Sequence, residues 1–214
     1  MIVLYYVSII QMYTRDIYNK EILLKGTQQV MMAWEKPYME ALIDKLDIKP
    51  EHDVLEIGFG LGYSAEAIQY YKPKSHTVVE IDEAVIAKIR ELDWTKNITV
   101  QHGAWQDLIK EDAKTYSRLK KYDRIFFDDF PMSEGIDSDS LHRLLEFVDR
   151  VMQFHCKTGA KISFYLENTL HDIIAKSKKY RYDEDRVFVH VPKNCRYITP
   201  GVRAMYLPLL TLEV

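Results

Sequence analysis

Three kinds of residue in this chain could do chemistry together. Gly58, Gly60 and Gly62 form a G-x-G-x-G turn, Gly58-Phe59-Gly60-Leu61-Gly62. Glycine has no Cβ and tolerates positive φ, so such a turn lets the backbone come close to a ligand. A helix that opens from the turn adds partial positive charge. Glu80, in Glu80-Ile81-Asp82, closes a short apolar run. An acid in that place, one strand on from a glycine turn, can accept both hydroxyls of a ribose. Asp128 closes another apolar run, and Glu35 stands in a segment rich in aromatic residues and methionine. Two such carboxylates can orient a cation by charge-assisted hydrogen bonds, or accept a proton from it.

These residues need a scaffold that brings them to one edge. Residues 54–57 read as a buried strand running into the glycine turn, and residues 63–71 as the helix after it. Residues 77–82 read as a second strand, 83–92 as a helix, and 98–100 as a short third strand that ends in residues 103–107. A fourth strand over 122–129, a helix over 141–154 and a fifth strand over 161–165 follow. Two late strands, 186–191 and 204–214, are joined by a turn-rich connection. This alternation predicts an α/β fold: a mostly parallel twisted sheet with right-handed crossovers, an antiparallel C-terminal strand and helices on both faces. Ligands of such sheets bind at the carboxyl ends of the strands. Glycine turn, Glu80, Asp107 and Asp128 all fall there.

Upstream, residues 15–50 read as helical. Val30, Met31, Trp34, Tyr38, Leu42 and Leu46 recur at three- and four-residue steps, and Pro37 fits the first turn of a helix. Residues 1–50 are therefore expected to form a helical cap or lid on a core of residues 51–214, within one domain. The apolar start, residues 1–10, is too short to span a bilayer and lacks a basic leader, so it reads as a strand or short helix on the core.

Bulk properties exclude several classes. With 29 Lys and Arg against 32 Asp and Glu, the net charge of −3 argues against a basic nucleic-acid surface. Cys156 and Cys195 form no C-x-x-C pair, and the histidines show no ligand spacing. A reducing, cytoplasmic setting without metal, membrane or nucleic acid is expected.

A dinucleotide fingerprint would place Gly or Ala at position 63, which is Tyr here. Instead Glu56, just before the first glycine, with GFGLG after it, resembles motif I of class I S-adenosylmethionine (SAM)-dependent methyltransferases. Gly103-Ala104-Trp105-Gln106-Asp107 resembles their adenine-binding loop. Further segments resemble guanidinoacetate N-methyltransferase and its relatives, including fungal protein-arginine δ-N-methyltransferases. They are residues 30–39 (VMMAWEKPYM), VLEIGFG, VVEID, GAWQD, Asp128-Asp129-Phe130-Pro131 and Cys195-Arg196-Tyr197, in family order. The resemblance implies a Rossmann-like class I methyltransferase with SAM as cofactor. It places SAM against Met31, Met39, Gly58, Phe59, Gly60, Leu61, Gly62, Tyr63, Glu80, Ile81, Asp82, Ala104 and Trp105. Glu35 and Asp128 would hold a guanidinium, with Asp128 between cofactor and substrate.

Methyl transfer is an in-line attack by a nitrogen lone pair, which a guanidinium does not offer, its pKa lying above 12. Removing its proton beforehand at pH 7 would cost about 8 kcal/mol, at ~1.36 kcal/mol per pKa unit. A carboxylate that takes the proton as the bond forms avoids that cost. Asp128 is the expected acceptor and Glu35 its partner, with the two roles exchangeable.

The chain departs from the family at Asp129 and Phe130, where Thr and Tyr are usual, and at Ile198, where a second Tyr is usual. The loop after the fifth strand reads Leu166-Glu167-Asn168-Thr169, where backbone donors to a substrate carboxylate are usual. Glu167 and Asn168 are therefore expected to face the substrate, and Glu167 and Asp129 to repel a carboxylate. The expected activity is N-methylation of a small guanidino compound such as guanidinoacetate. The alternatives are an arginine side chain of a protein, or SAM binding without catalysis.

Overall fold

The computed structural model describes residues 11–109, 119–129, 138–170 and 179–213. The apolar residues 1–10, Phe130, Pro131 and the lysines at 176 and 178 lie outside the described residues.

The N-terminal region departs from the helical expectation. It is a three-stranded antiparallel sheet of β1 (Gln11–Arg15), β2 (Glu21–Lys25) and β3 (Gln28–Met32). Turn chemistry decides this. Asn19 and Gly26 take positive φ, 58° and 59°, at the two hairpin turns. The Asp16 carboxylate accepts the N–H groups of Tyr18 and Lys20 at 2.9 Å, closing the first turn. The apolar stripe that suggested one helix runs across three elements. Val30 and Met31 belong to β3, Trp34 to a 3-10 turn (Ala33–Glu35), and Tyr38 and Leu42 to helix α1 (Lys36–Lys45). Pro37 occupies the first turn of α1, as expected.

The main sheet has seven strands in the order β6-β5-β4-β7-β8-β10-β9. β4 (Asp53–Ile57), β5 (Ser75–Glu80), β6 (Ile98–His102), β7 (Tyr122–Phe127) and β8 (Cys156–Phe164) are parallel. β9 (Tyr180–Val191) and β10 (Gly201–Leu212) are antiparallel to each other; β9 starts well before the strand expected at 186–191, while β10 largely matches the one expected at 204–214. Helices α2 (Tyr63–Tyr70), α3 (Glu83–Glu91), α4 (Trp105–Leu108) and α5 (Ser138–Phe154) complete the fold.

Strand alternation splits the interior into two cores. Val54, Val78 and Phe126 face one side with α1, α2 and α3, while Leu55, Ile57, Ile125 and Phe127 face the other with α5. The chain builds outward from β4 to β6, then returns to place β7 on the other side of β4. That reversal opens a crevice between the carboxyl ends of β4 and β7, where ligands of open α/β sheets bind. The Asp128 N–H donates to the Ile57 carbonyl at 3.0 Å, so Gly58 and Asp128 leave the sheet side by side. Among the described residues no helix is long and apolar enough to cross a membrane.

Candidate active site

The glycine turn is shaped by close approaches. Gly58 has φ 81°, and a Cβ there would collide with the Asp128 carbonyl oxygen. Gly60 has φ 54°, and a Cβ there would meet the Met31 sulfur at 2.7 Å. The N-terminal sheet thus closes over the turn. Met31 Sδ accepts the Leu61 N–H at 3.2 Å, and the Tyr13 hydroxyl donates to the Gly60 carbonyl at 2.9 Å.

Glu80 ends β5 beside this turn. It accepts three backbone N–H groups, from Phe59 at 3.0 Å and from Ile81 and Asp82 at 2.8 Å. Burial raises its pKa, against those three hydrogen bonds.

Two acids stand at the inner wall. Glu35 is 3% exposed. Its Oε1 accepts the Tyr197 hydroxyl at 2.5 Å and the Met32 N–H at 2.7 Å. Burial nevertheless pushes its pKa up to about 8, with Asp128 and Glu167 adding repulsion. Asp128 has no hydrogen-bond or ion-pair partner for its carboxylate among the described residues. Burial pushes its pKa up to about 7, with Asp129 and Glu56 adding to the rise. No cationic side chain among the described residues pairs with either acid, and a buried carboxylate without one is costly to ionise.

Asp129 is different. It is paired with Arg143 from α5 and accepts the Trp105 indole N–H at 2.6 Å. Trp105 itself packs edge-on against Phe127 at 5.7 Å and Phe147 at 5.5 Å. The negative charge that Asp129 was expected to add is therefore offset by Arg143.

Together these groups line a cavity of about 1300 Å³. Pockets for one drug-sized ligand usually measure ~300–1000 Å³, so this one exceeds the needs of a single small ligand. Of the expected residues, Met31, Glu35, Gly58, Gly60, Glu80 and Ile81 line it, as do Ala104, Trp105, Asp128, Glu167 and Asn168. The others serve its walls from behind. Met39 is fully buried in the core. The Phe59 ring stacks on Trp94 at 6.1 Å and sits where a Gly62 side chain would be. Leu61 contributes its N–H to Met31. The Tyr63 hydroxyl donates to Glu21 at 3.1 Å, and Asp82 caps α3 by accepting the Ala84 and Val85 N–H groups. Glu56 also stays outside, held by Ser64 and by His76 Nε2 at 2.8 Å.

Several cavity residues went unread in the sequence. Arg143 reads as the polar face of an amphipathic helix. Tyr165, just past β8, lines the cavity, and its buried hydroxyl has no hydrogen-bond partner among the described residues. Its place at a strand's carboxyl end was the available signal. Tyr38 pins the far wall: its hydroxyl accepts the Leu166 N–H at 2.9 Å and lies 2.8 Å from the Tyr206 carbonyl.

A seven-stranded sheet of this order, with a glycine turn after its first strand and an acid after its second, defines a class I SAM-dependent methyltransferase. Within that class, the chain belongs to the guanidinoacetate N-methyltransferase family, whose profile matches residues 13–188. Protein arginine N-methyltransferase 2 of Yarrowia lipolytica is 29% identical over 160 residues, covering 72% of this chain and 31% of that protein. Protein arginine N-methyltransferase 2 of Saccharomyces cerevisiae is 34% identical over 105 residues, covering 46% of this chain and 24% of that protein. The chain thus spans a third or less of these relatives. In fold it is similar to TrmN from Thermus thermophilus, with TM-score 0.59 and 17% identity over 86% of this chain and 49% of that one. It is similar also to M. jannaschii TYW2 in complex with AdoMet, with TM-score 0.54 and 13% identity over 95% of this chain and 87% of that one. The glycine turn, where side chains at 58, 60 and 62 would collide with Asp128, Met31 and Phe59, and the carboxylate of Glu80 beside it fit SAM as the cofactor.

Proposed function

We propose that this domain methylates a nitrogen of a guanidino group. The observation that carries the reading is the pair of acids, Glu35 buried and Asp128 half-buried, beside the glycine turn and without a cationic partner among the described residues. Such a pair suits a bound cation, which would ionise both.

Bound SAM supplies an electrophilic methyl group on a sulfonium. Gly58 and Gly60 would let it approach closely, Glu80 would accept ribose hydroxyls, and Ile81, Ala104 and Trp105 would flank the adenine. Met31, from the N-terminal sheet, covers the turn. That sheet and α1 act as the roof of the same domain as residues 51–214.

Glu35 has Oε1 committed to Tyr197 and Met32, which leaves Oε2 to orient the guanidinium. Asp128 holds the reacting nitrogen and accepts its proton as the N–C bond forms. A carboxylate with a pKa raised toward neutrality is a better base for that step than an ordinary one. Both anions also offset repulsion between guanidinium and sulfonium.

A small guanidino acid such as guanidinoacetate is the first acceptor to test. Glu167, exposed at the cavity mouth, disfavours an acceptor carboxylate there and supports a second reading, an arginine side chain. The names of the two relatives quoted above support the same reading. Mass spectrometry of reactions with SAM and guanidinoacetate, free arginine or an arginine peptide decides among them. A methylated product that disappears in Asp128→Asn supports the proposal. SAM binding without product from any guanidine sinks it and leaves a non-catalytic domain.

A further inference from the structure

We propose that the open edge of β10 is a docking strand for an extended polypeptide that presents the acceptor arginine. The inference rests on the guanidino reading and adds a binding site to it.

β10 pairs with β9 along its whole length, from Gly201↔Val191 to Leu212↔Tyr180. On its other side it pairs with β8 only at Leu210↔Ile162 and Thr211↔Lys161. Pro208 then interrupts that ladder, having no N–H. Tyr206 makes the last contacts: its N–H reaches the Leu166 carbonyl at 3.4 Å, and its carbonyl faces the Tyr38 hydroxyl. Past Leu166 the chain leaves β10, and residues 201–205 run on without a neighbour on this side among the described residues.

Backbone groups of a strand alternate in direction with period two. Those of Tyr206 point to the β8 side, so those of Ala204 and Val202 do as well. Neither residue carries the charge, proline or bulge that commonly blunts an exposed edge. The Val202 side chain is 70% exposed.

This edge lines a groove of about 370 Å³ together with Glu167, Asn168 and the connection from Tyr197 to Thr199; Arg203, between the two edge residues, is held by the Thr199 and Pro200 carbonyls. Glu167, Asn168 and Tyr197 also line the catalytic cavity. Groove and cavity are therefore neighbours, and they share the tyrosine that holds Glu35. A guanidino compound as small as guanidinoacetate has no use for a strand edge there. An extended peptide does: its backbone pairs with Val202 and Ala204, and every second side chain turns to one face. One of those, an arginine, passes Glu167 and enters toward Glu35 and Asp128, a run of three acids matched to its charge.

The test uses the full chain and a fluorescein-labelled peptide of about ten residues with one central arginine, long enough at ~3.3 Å per residue to cover the edge. Anisotropy should show saturable binding. Two versions of the peptide, N-methylated on odd or on even backbone positions, separate the edge from side-chain contacts. One of them should bind about tenfold or more weakly, having lost its donors to the strand. Ala204→Pro should weaken the unmodified peptide similarly. Pro208 shows that a proline at this parity leaves the β9 ladder intact, and SAM affinity and melting temperature check the fold. Absent binding, or equal binding of all peptides to both proteins, overturns the docking strand. Edge-dependent binding with no methylated product from the peptide or from any small guanidine instead keeps the strand and sinks the guanidino reading. Methylation of small guanidines without edge-dependent binding does the reverse.

Discussion

Tyr197 donates its hydroxyl to Oε1 of Glu35 at 2.5 Å, across a separation of 162 residues in the chain. That hydrogen bond lowers the Glu35 pKa against the much larger effect of burial. Tyr197→Phe removes it, so Glu35 should ionise only at still higher pH. We expect kcat/KM near neutral pH to fall about ten- to a hundredfold, in keeping with ~1.5–3 kcal/mol for a hydrogen bond to a charged group. The acid limb of the pH profile should move to higher pH. A profile that keeps its shape and position would show that Tyr197 does not act through Glu35.

The same acids link stability to pH. Their folded pKa values, about 7 for Asp128 and about 8 for Glu35, lie above the ordinary carboxylate range. Between that range and pH 8 the folded chain binds more protons than the unfolded one. Ligand-free stability should therefore be full below the ordinary carboxylate range, fall as pH rises from there through 7 and 8, and level off above. Asp128→Asn and Glu35→Gln should each stabilise the ligand-free protein at pH 8.5, on the order of 2 kcal/mol. Methyl transfer should drop ~10²–10⁴-fold in Asp128→Asn. Thermal melts against pH test the first claim, and a melting temperature that rises from pH 6 to 8.5 in the parent chain contradicts it.

Arg143 offsets Asp129, which itself raises the pKa of the neighbouring Asp128. Arg143→Met should push Asp128 higher, move the pH profile to the alkaline side and destabilise the fold by about 1–3 kcal/mol. Asp129→Asn in the same chain should restore much of both losses, because the orphaned charge is gone. A double-mutant cycle on melting and on the pH profile measures that coupling, and strict additivity would deny it.

Glu80 predicts a different split. Glu80→Gln keeps the shape but removes charge from the oxygens that accept the Phe59, Ile81 and Asp82 N–H groups. Calorimetry should show SAM binding weakened about tenfold or more, with the acceptor KM unchanged once SAM saturates. Unchanged SAM affinity would remove Glu80 from the cofactor site.

The centre of the parallel sheet was legible because β4, β5 and β7 are buried on both faces, read as largely apolar runs and end at Gly58, Glu80 and Asp128. The N-terminal sheet was not. The helical spacing from Val30 to Leu46 was an accident of a strand, a 3-10 turn and a helix in succession, and the informative residues were Asp16, Asn19 and Gly26 at the turns. In the site, position along a motif predicted nearness to the cavity but not direction. Glu80 faces it while Asp82, two residues on, caps a helix, and Met31 faces it while Met39 is sealed in the core. β9 escaped notice in its first half because Arg181, Asp183, Glu184 and Asp185 give it the charge of a solvated edge and no apolar period.

The collision that a side chain at Gly58 would cause is with Asp128, not with a ligand. Position 58 thus sets how closely the glycine turn and Asp128 stand together, the turn being the proposed seat of the methyl donor and Asp128 the proposed proton acceptor. Any larger residue would push the two apart in one step. Random mutagenesis under selection for activity should leave this codon intact even where an abundant supply of donor relaxes the demand on its neighbour at position 60.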